Sequence, residues 1–126
     1  MRAVDTNVLV RLLAQDDAEQ VRVARRWVEE GVWVSVLALA ETLWVLSVVY
    51  DRSPAEIASA VETLLKHRDL ELQDSDVVAA ALVQFRERPS VGFSDCLLLE
   101  LARKAGHLPL GTFDRNLSKL SGARKL

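Results

Sequence analysis

The chain has 126 residues, enough for one domain that buries about two thirds of its unfolded surface and too few for two, so residues 1–126 are expected to form a single domain. Half of the residues are hydrophobic and only five are Gly and three Pro, which excludes a disordered or low-complexity chain. Sixteen Lys and Arg against eighteen Asp and Glu leave a net charge of −2, too balanced to mark a nucleic-acid binder by charge alone.

Arg2-Ala3-Val4-Asp5 predicts a short buried strand, and Val8 to Leu13 a helix with Thr6 or Asn7 as its cap. Asp16-Asp17 opens a second helix with Val21, Ala24, Trp27 and Val28 on one face and Gly31 as its stop. Val32 to Val36 is β-branched and aromatic, hence a strand, and the Ala- and Leu-rich run from there to Tyr50 favours helix. Ser53-Pro54-Ala55-Glu56 is a capping box with proline at the first helical position, and Ile57, Val61, Leu64 and Leu65 follow at helical spacing. Leu70-Glu71-Leu72 predicts a third strand, Asp74-Ser75-Asp76 the start of a helix ended by Pro89, and Phe93 to Ala105 a helix stopped by Gly106. Leu108 to Phe113 reads as a fourth strand, and Leu117 and Leu120 suggest a short helix after it.

Short strands alternating with longer helices argue for right-handed crossovers and an α/β domain whose parallel sheet is covered on both faces. In such sheets ligands sit outside the carboxyl ends of the strands, so strand ends and helix starts are where chemistry is sought. The stretch from Val32 to Tyr50 holds a single charge, Glu41, at its middle; a carboxylate there and acidic flanks argue against a membrane span. Asp5 and Arg11 interrupt the N-terminal apolar run, so no signal peptide is expected. A single cysteine, Cys96, and the lack of Cys/His clusters point to a reducing cytoplasm and away from zinc.

Most acids stand near helix starts or on polar stretches, where solvent accounts for them. Four do not: Asp5 after Val4, Glu41 within Ala38 to Trp44, Asp95 between Ser94 and Cys96, and Asp114 after Phe113. At about 100° per residue, Leu98, Leu99, Leu101, Ala102 and Ala105 lie on Asp95's side of its helix, with Glu100 and Lys104 opposite. Asp95 is therefore expected on the buried face. Leu37, Trp44, Val45 and Val48 surround Glu41 on a helix with almost no polar face, which predicts a helix covered on all sides. Asp5 and Asp114 each close a strand, placing them at one edge of a parallel sheet. Carboxylates gathered there with little water repel by several kcal/mol unless protonated or joined by a cation. An all-oxygen donor set favours Mg²⁺ or Mn²⁺. The structural alternative makes Asp114 a helix cap, Asp5 a turn former, Asp95 a helix-start carboxylate and Glu41 the partner of a buried Arg.

Asp5-Thr6-Asn7-Val8-Leu9, Ala40-Glu41 with Leu43 to Leu46, Phe93-Ser94-Asp95-Cys96-Leu97, and Gly111-Thr112-Phe113-Asp114 with Leu117 and Leu120 together resemble PIN-domain nucleases, specifically VapC-type toxins of toxin-antitoxin modules. The resemblance spans essentially the whole chain. It implies a PIN-like sheet of about five parallel strands, Mg²⁺- or Mn²⁺-dependent endoribonuclease activity, and a metal-binding catalytic site of Asp5, Glu41, Asp95 and Asp114. Asn7 and Thr112 resemble the family's supporting polar residues. Many relatives carry a further acid where Asn116 stands, which puts a second metal in doubt. The resemblance also implies a cognate VapB-like antitoxin.

Without a metal, RNA cleavage needs paired acid and base groups, usually His; His67 at a polar helix end and His107 after Gly106 read as surface residues. Cys96 has no His partner to activate it. Arg103, Lys104, Arg115, Lys119, Arg124 and Lys125 face only Asp114 in the last 24 residues, so RNA contacts are sought at Arg115, Lys119 and Arg103. The apolar helix from Val36 to Tyr50 exceeds what one core can cover and predicts a homodimer. The rival reading is a catalytically weak PIN-fold interaction module that uses the same helix.

Overall fold

The structure is a computed structural model that describes every residue, Met1–Leu126. It has two compact units, Met1–Ser75 and Asp76–Leu126. The first holds β1 (Arg2–Ala3), α1 (Thr6–Ala14), α2 (Ala18–Val28), β2 (Val32–Val34), α3 (Val36–Val48), α4 (Pro54–Lys66) and β3 (Leu70–Leu72). The second holds α5, which starts one residue earlier (Ser75–Glu87), a 3₁₀ turn at Pro89–Val91, α6 (Phe93–Ala105), β4 (Leu110–Thr112), a second 3₁₀ turn at Leu117–Lys119, and β5 (Ala123–Lys125).

Local chemistry sets these boundaries. Asp17 accepts from the Gln20 amide at 3.0 Å and Ser35 from that of Ala38 at 3.0 Å, satisfying helix-start donors that would otherwise lack partners. Ser53 and Glu56 form the reciprocal capping box, with Pro54 in the first turn. Gly106 ends α6 at φ +83°, a left-handed conformation that glycine adopts without a Cβ clash.

In the first unit β1, β2 and β3 run parallel in that order, with Ala3 opposite Trp33 and Val34 opposite Leu72. Val32, Val34, Leu70 and Leu72 are buried and Trp33 and Glu71 between them exposed, the two-residue period of a pleated strand. Leu9, Leu39, Val61 and Leu64 join them in the core. Arg11 donates to Asp16 at 2.9 Å and to the Tyr50 hydroxyl at 3.1 Å, and that hydroxyl donates to Asp16 at 2.7 Å. One polar triad thus ties α1 to the turns that precede α2 and follow α3.

In the second unit β4 and β5 pair parallel, Leu110 opposite Ala123 and Thr112 opposite Lys125. Val78, Phe85, Phe93, Leu97 and Leu99 are buried there, Phe85 and Phe93 meeting edge to face with centroids 6.0 Å apart.

The α/β class and the parallel pairing hold. Instead of one continuous sheet of about five strands, however, there are a three-stranded and a two-stranded ladder. Strands of two or three residues offer few ladder bonds along each edge, and Asp5 and Asp114 follow strands of different ladders. A second correction concerns α3. It packs against α1 and α4 through Ala38, Leu39, Thr42, Leu43 and Leu46, but Leu37, Trp44 and Val48 are 69%, 60% and 59% exposed. Its composition is apolar all round; its neighbours within the chain cover one side only. No helix is long and apolar enough to cross a membrane.

Candidate acidic site

Asp5 occupies the bend between β1 and α1. It, rather than Thr6 or Asn7, is the N-cap, its Oδ1 accepting from the Val8 amide at 3.2 Å. The reason is one of register: with Thr6 already helical, the residue before it has the extended backbone a cap needs. Thr6 is then free to turn its hydroxyl to α3, where it donates to Glu41 Oε2 at 2.8 Å. This contact brings Glu41 beside the start of α1. Thr6 was missed as a site residue; the signal was a hydroxyl immediately after the strand-end acid. Glu41 has Thr6 for a partner, and not a buried Arg. It stands on the exposed side of α3 with Leu37, Trp44 and Val48.

Asp5 and Asn7 also line a groove of about 600 Å³ whose walls include Val4, Val8, Val23 and Trp27. The first unit therefore presents two carboxylates, one hydroxyl and one amide beside an apolar groove.

In the second unit Asp95 lies in the first turn of α6, behind Gly92, whose φ of +87° sets the chain's entry into the helix. Asp95 is half-buried, and burial, followed by the nearby charge of Asp114, pushes its carboxyl above the usual range. Asp114 follows β4. Its amide donates to Thr112 Oγ1 at 2.9 Å, and its Oδ1 accepts from the Leu117 amide at 2.8 Å, opening the second 3₁₀ turn. Thr112 thus holds the backbone of Asp114. Asn116 forms no side-chain cap and is exposed, as are Arg115 and Lys119.

Two expectations need correction. Asp5, Glu41 and Asp114 are exposed, and only Asp95 is partly withdrawn from water; helix starts and the open face of α3 leave these carboxylates in solvent. Glu100, expected on the solvent side of α6, is buried because Arg103 folds over it. Arg103 itself is exposed and donates to Glu100 and to the Ser121 carbonyl. Cys96 is fully buried with its thiol pushed up to about 11, which suits no nucleophile. His67 accepts from the Asp69 amide at 3.1 Å, a local turn contact.

The donor set suits a hard divalent ion. It is all oxygen, and the charge of Asp114 opposes ionisation of Asp95, a repulsion that a cation beside Asp95 would relieve. Within neither unit do three or more Asp, Glu, His or Cys gather closely enough to hold an ion by themselves.

Short parallel strands alternating with helices, with carboxylates at several of the transitions, define an α/β domain. The PIN domain family model matches residues 2–123, nearly the whole length, and the chain belongs to the PIN-domain family. PIN domains are generally metal-dependent nucleases, commonly using divalent ions such as Mg²⁺. No curated protein and no solved structure matches the chain.

Proposed function

We propose that this chain is a Mg²⁺- or Mn²⁺-dependent endoribonuclease, a VapC-type toxin in which residues 1–126 act as one PIN domain. The observation that carries the reading is the charge opposition between Asp95 and Asp114 in a chain that matches the PIN family almost end to end. Asp5, Glu41, Asp95 and Asp114 serve one reaction. A divalent ion bound by them would supply Lewis acidity toward a phosphate oxygen and charge stabilisation for a leaving 3′-oxygen.

The chain's own groups do the rest. Asp95 and Asp5 present anionic oxygens to the ion. Glu41, steadied by Thr6, and Asp114, steadied by Thr112 and the Leu117 amide, orient water. Asn7 and Asn116 complete the polar surroundings. Arg115 and Lys119, beside Asp114 in sequence and exposed, meet the RNA backbone, where Lys and Arg add affinity without sequence choice. Arg103 belongs to the same basic stretch.

The toxin role implies a cytoplasmic protein with a VapB-like antitoxin that inhibits by directing an Arg or Lys at the carboxylates, because a guanidinium neutralises two of them at once. A homodimer forms through the Val36 to Tyr50 helix, whose exposed Leu37, Trp44 and Val48 suit a partner. The same face favours a second reading, a catalytically weak PIN-fold interaction module. Pure protein incubated with total RNA in Mg²⁺, Mn²⁺ or EDTA, with the ends mapped, separates the two: discrete metal-dependent cuts support the nuclease, and intact RNA under all three conditions the module. Expression with and without the genomic neighbour then tests the toxin role, with growth arrest by this chain alone and rescue by the neighbour expected.

A further inference from the structure

The buried acid of α6 has no role in the reading above, and the arginine that covers it enters only through its place in the basic stretch. Glu100 is only 9% exposed. Arg103, one turn later, points Nε at both of its oxygens, at 3.0 and 3.3 Å. The same guanidinium donates through Nη2 to the Ser121 carbonyl at 2.6 Å. A Cβ on the next residue, Gly122, would stand 3.0 Å from that nitrogen, and Gly122 has φ +98°. The missing side chain makes room for the arginine.

From there the connection continues to the candidate site. The Gly122 carbonyl accepts from the Leu110 amide at 2.8 Å, next to the first pair of the β4–β5 ladder. β4 ends at Thr112, which holds the Asp114 amide. Asp95 lies in the first turn of the helix on which Arg103 sits, and Asp114 follows β4, whose first residue bonds the carbonyl next to the one that Arg103 holds. Two carboxylates that repel have no attraction of their own to fix their separation, so a rigid connection elsewhere has to do it.

We propose that Arg103, held in place by Glu100, is a positioning residue that fixes Asp114 against Asp95 and so sets how tightly the pair holds a divalent cation. This rests on the reading of Asp95 and Asp114 as the ion's ligands. A planar guanidinium can serve a carboxylate and a carbonyl in two directions at once; a lysine at this position cannot, although it keeps the charge beside Glu100. Supports behind metal ligands commonly change affinity by about 10–100-fold when altered.

The test is Mn²⁺ binding by calorimetry on the full chain, with thermal melts and the KM for RNA measured alongside. Arg103→Lys should weaken Mn²⁺ binding by about tenfold, raise the half-saturating Mn²⁺ for cleavage by the same factor, and leave the KM for RNA unchanged. Glu100→Gln, which keeps an acceptor for Arg103 but removes the charge, should move Mn²⁺ affinity the same way by less, and it carries the test if Arg103→Lys does not fold. Wild-type Mn²⁺ affinity in the folded variants would overturn the proposal. So would a raised KM for RNA with unchanged Mn²⁺ affinity, which would make Arg103 an RNA contact. Asp95→Asn and Asp114→Asn separate the two levels: if they bind Mn²⁺ like wild type the metal site itself is wrong and the positioning role falls with it, whereas loss of binding there with none in Arg103→Lys overturns the positioning role alone.

Discussion

At Asp5 and Asp114 one carboxylate oxygen accepts from a backbone amide that starts a helical turn, and the proposed function gives the same carboxylate a second job, its charge toward a cation. Substitution can separate these jobs. Asn caps as well as Asp, so Asp5→Asn should keep its denaturation midpoint and lose metal-dependent cleavage, while Asp5→Ala should also lose about 1 kcal/mol in urea unfolding. Asp95 carries a different signature. Its folded carboxyl is raised, first by burial and then by Asp114, so between the unfolded and folded values the native state binds more protons and stability falls as pH rises. Metal-free Asp95→Asn is therefore expected to melt at or above wild type at pH 7 and to lose that part of the pH dependence; a lower, broadened melt would contradict it. Apolar neighbours in the sequence singled out the four acids, but only Asp95 is partly withdrawn from water. The state of each was not legible there, since a cap or a half-buried helix start depends on which residue takes the extended backbone. Glu100 misled for a related reason: angular position on α6 says nothing about an arginine one turn later folding over it.

The elements separate core from surface in ways that mutation can read. Leu39 is buried on the covered side of α3 and Trp44 exposed on the other. Leu39→Ala should cost about 2–5 kcal/mol in denaturant unfolding, and Trp44→Glu should leave the unfolding free energy within about 0.5 kcal/mol while shifting sedimentation from dimer to monomer. The triad of Arg11, Asp16 and Tyr50 makes a pH-dependent tie. The Tyr50 hydroxyl, then Arg11, lowers the Asp16 carboxyl, so its contribution is present above the unfolded carboxylate range and is lost as pH falls through the lowered folded value. Tyr50→Phe should accordingly reduce the gap between melting temperatures at neutral and acid pH; an unchanged gap would contradict the assignment. Capping signals such as Ser53 with Glu56 made α4 readable. β5 was not: Ala123-Arg124-Lys125 lacks the β-branched run of β2, and pairing with β4 alone makes it a strand.

For the whole molecule, order of motifs proved more informative than composition. A net charge of −2 conceals a basic last quarter, and four individually ordinary acids acquire meaning from their sequence and spacing. The PIN family model matches residues 2–123. The division of the parallel strands into two ladders was not readable, because strand periodicity fixes which face is buried and not which edges pair. The central claim is that carboxylates of this chain cut RNA with a divalent ion, and it is tested most directly by end-labelled RNA incubated with EDTA-dialysed protein, wild type and Asp95→Asn, across an Mn²⁺ titration. Discrete cleavage products that rise with Mn²⁺ for wild type and are absent for a folded Asp95→Asn are the predicted result. Equal cleavage by both proteins, or cleavage by wild type that persists in EDTA, would contradict it.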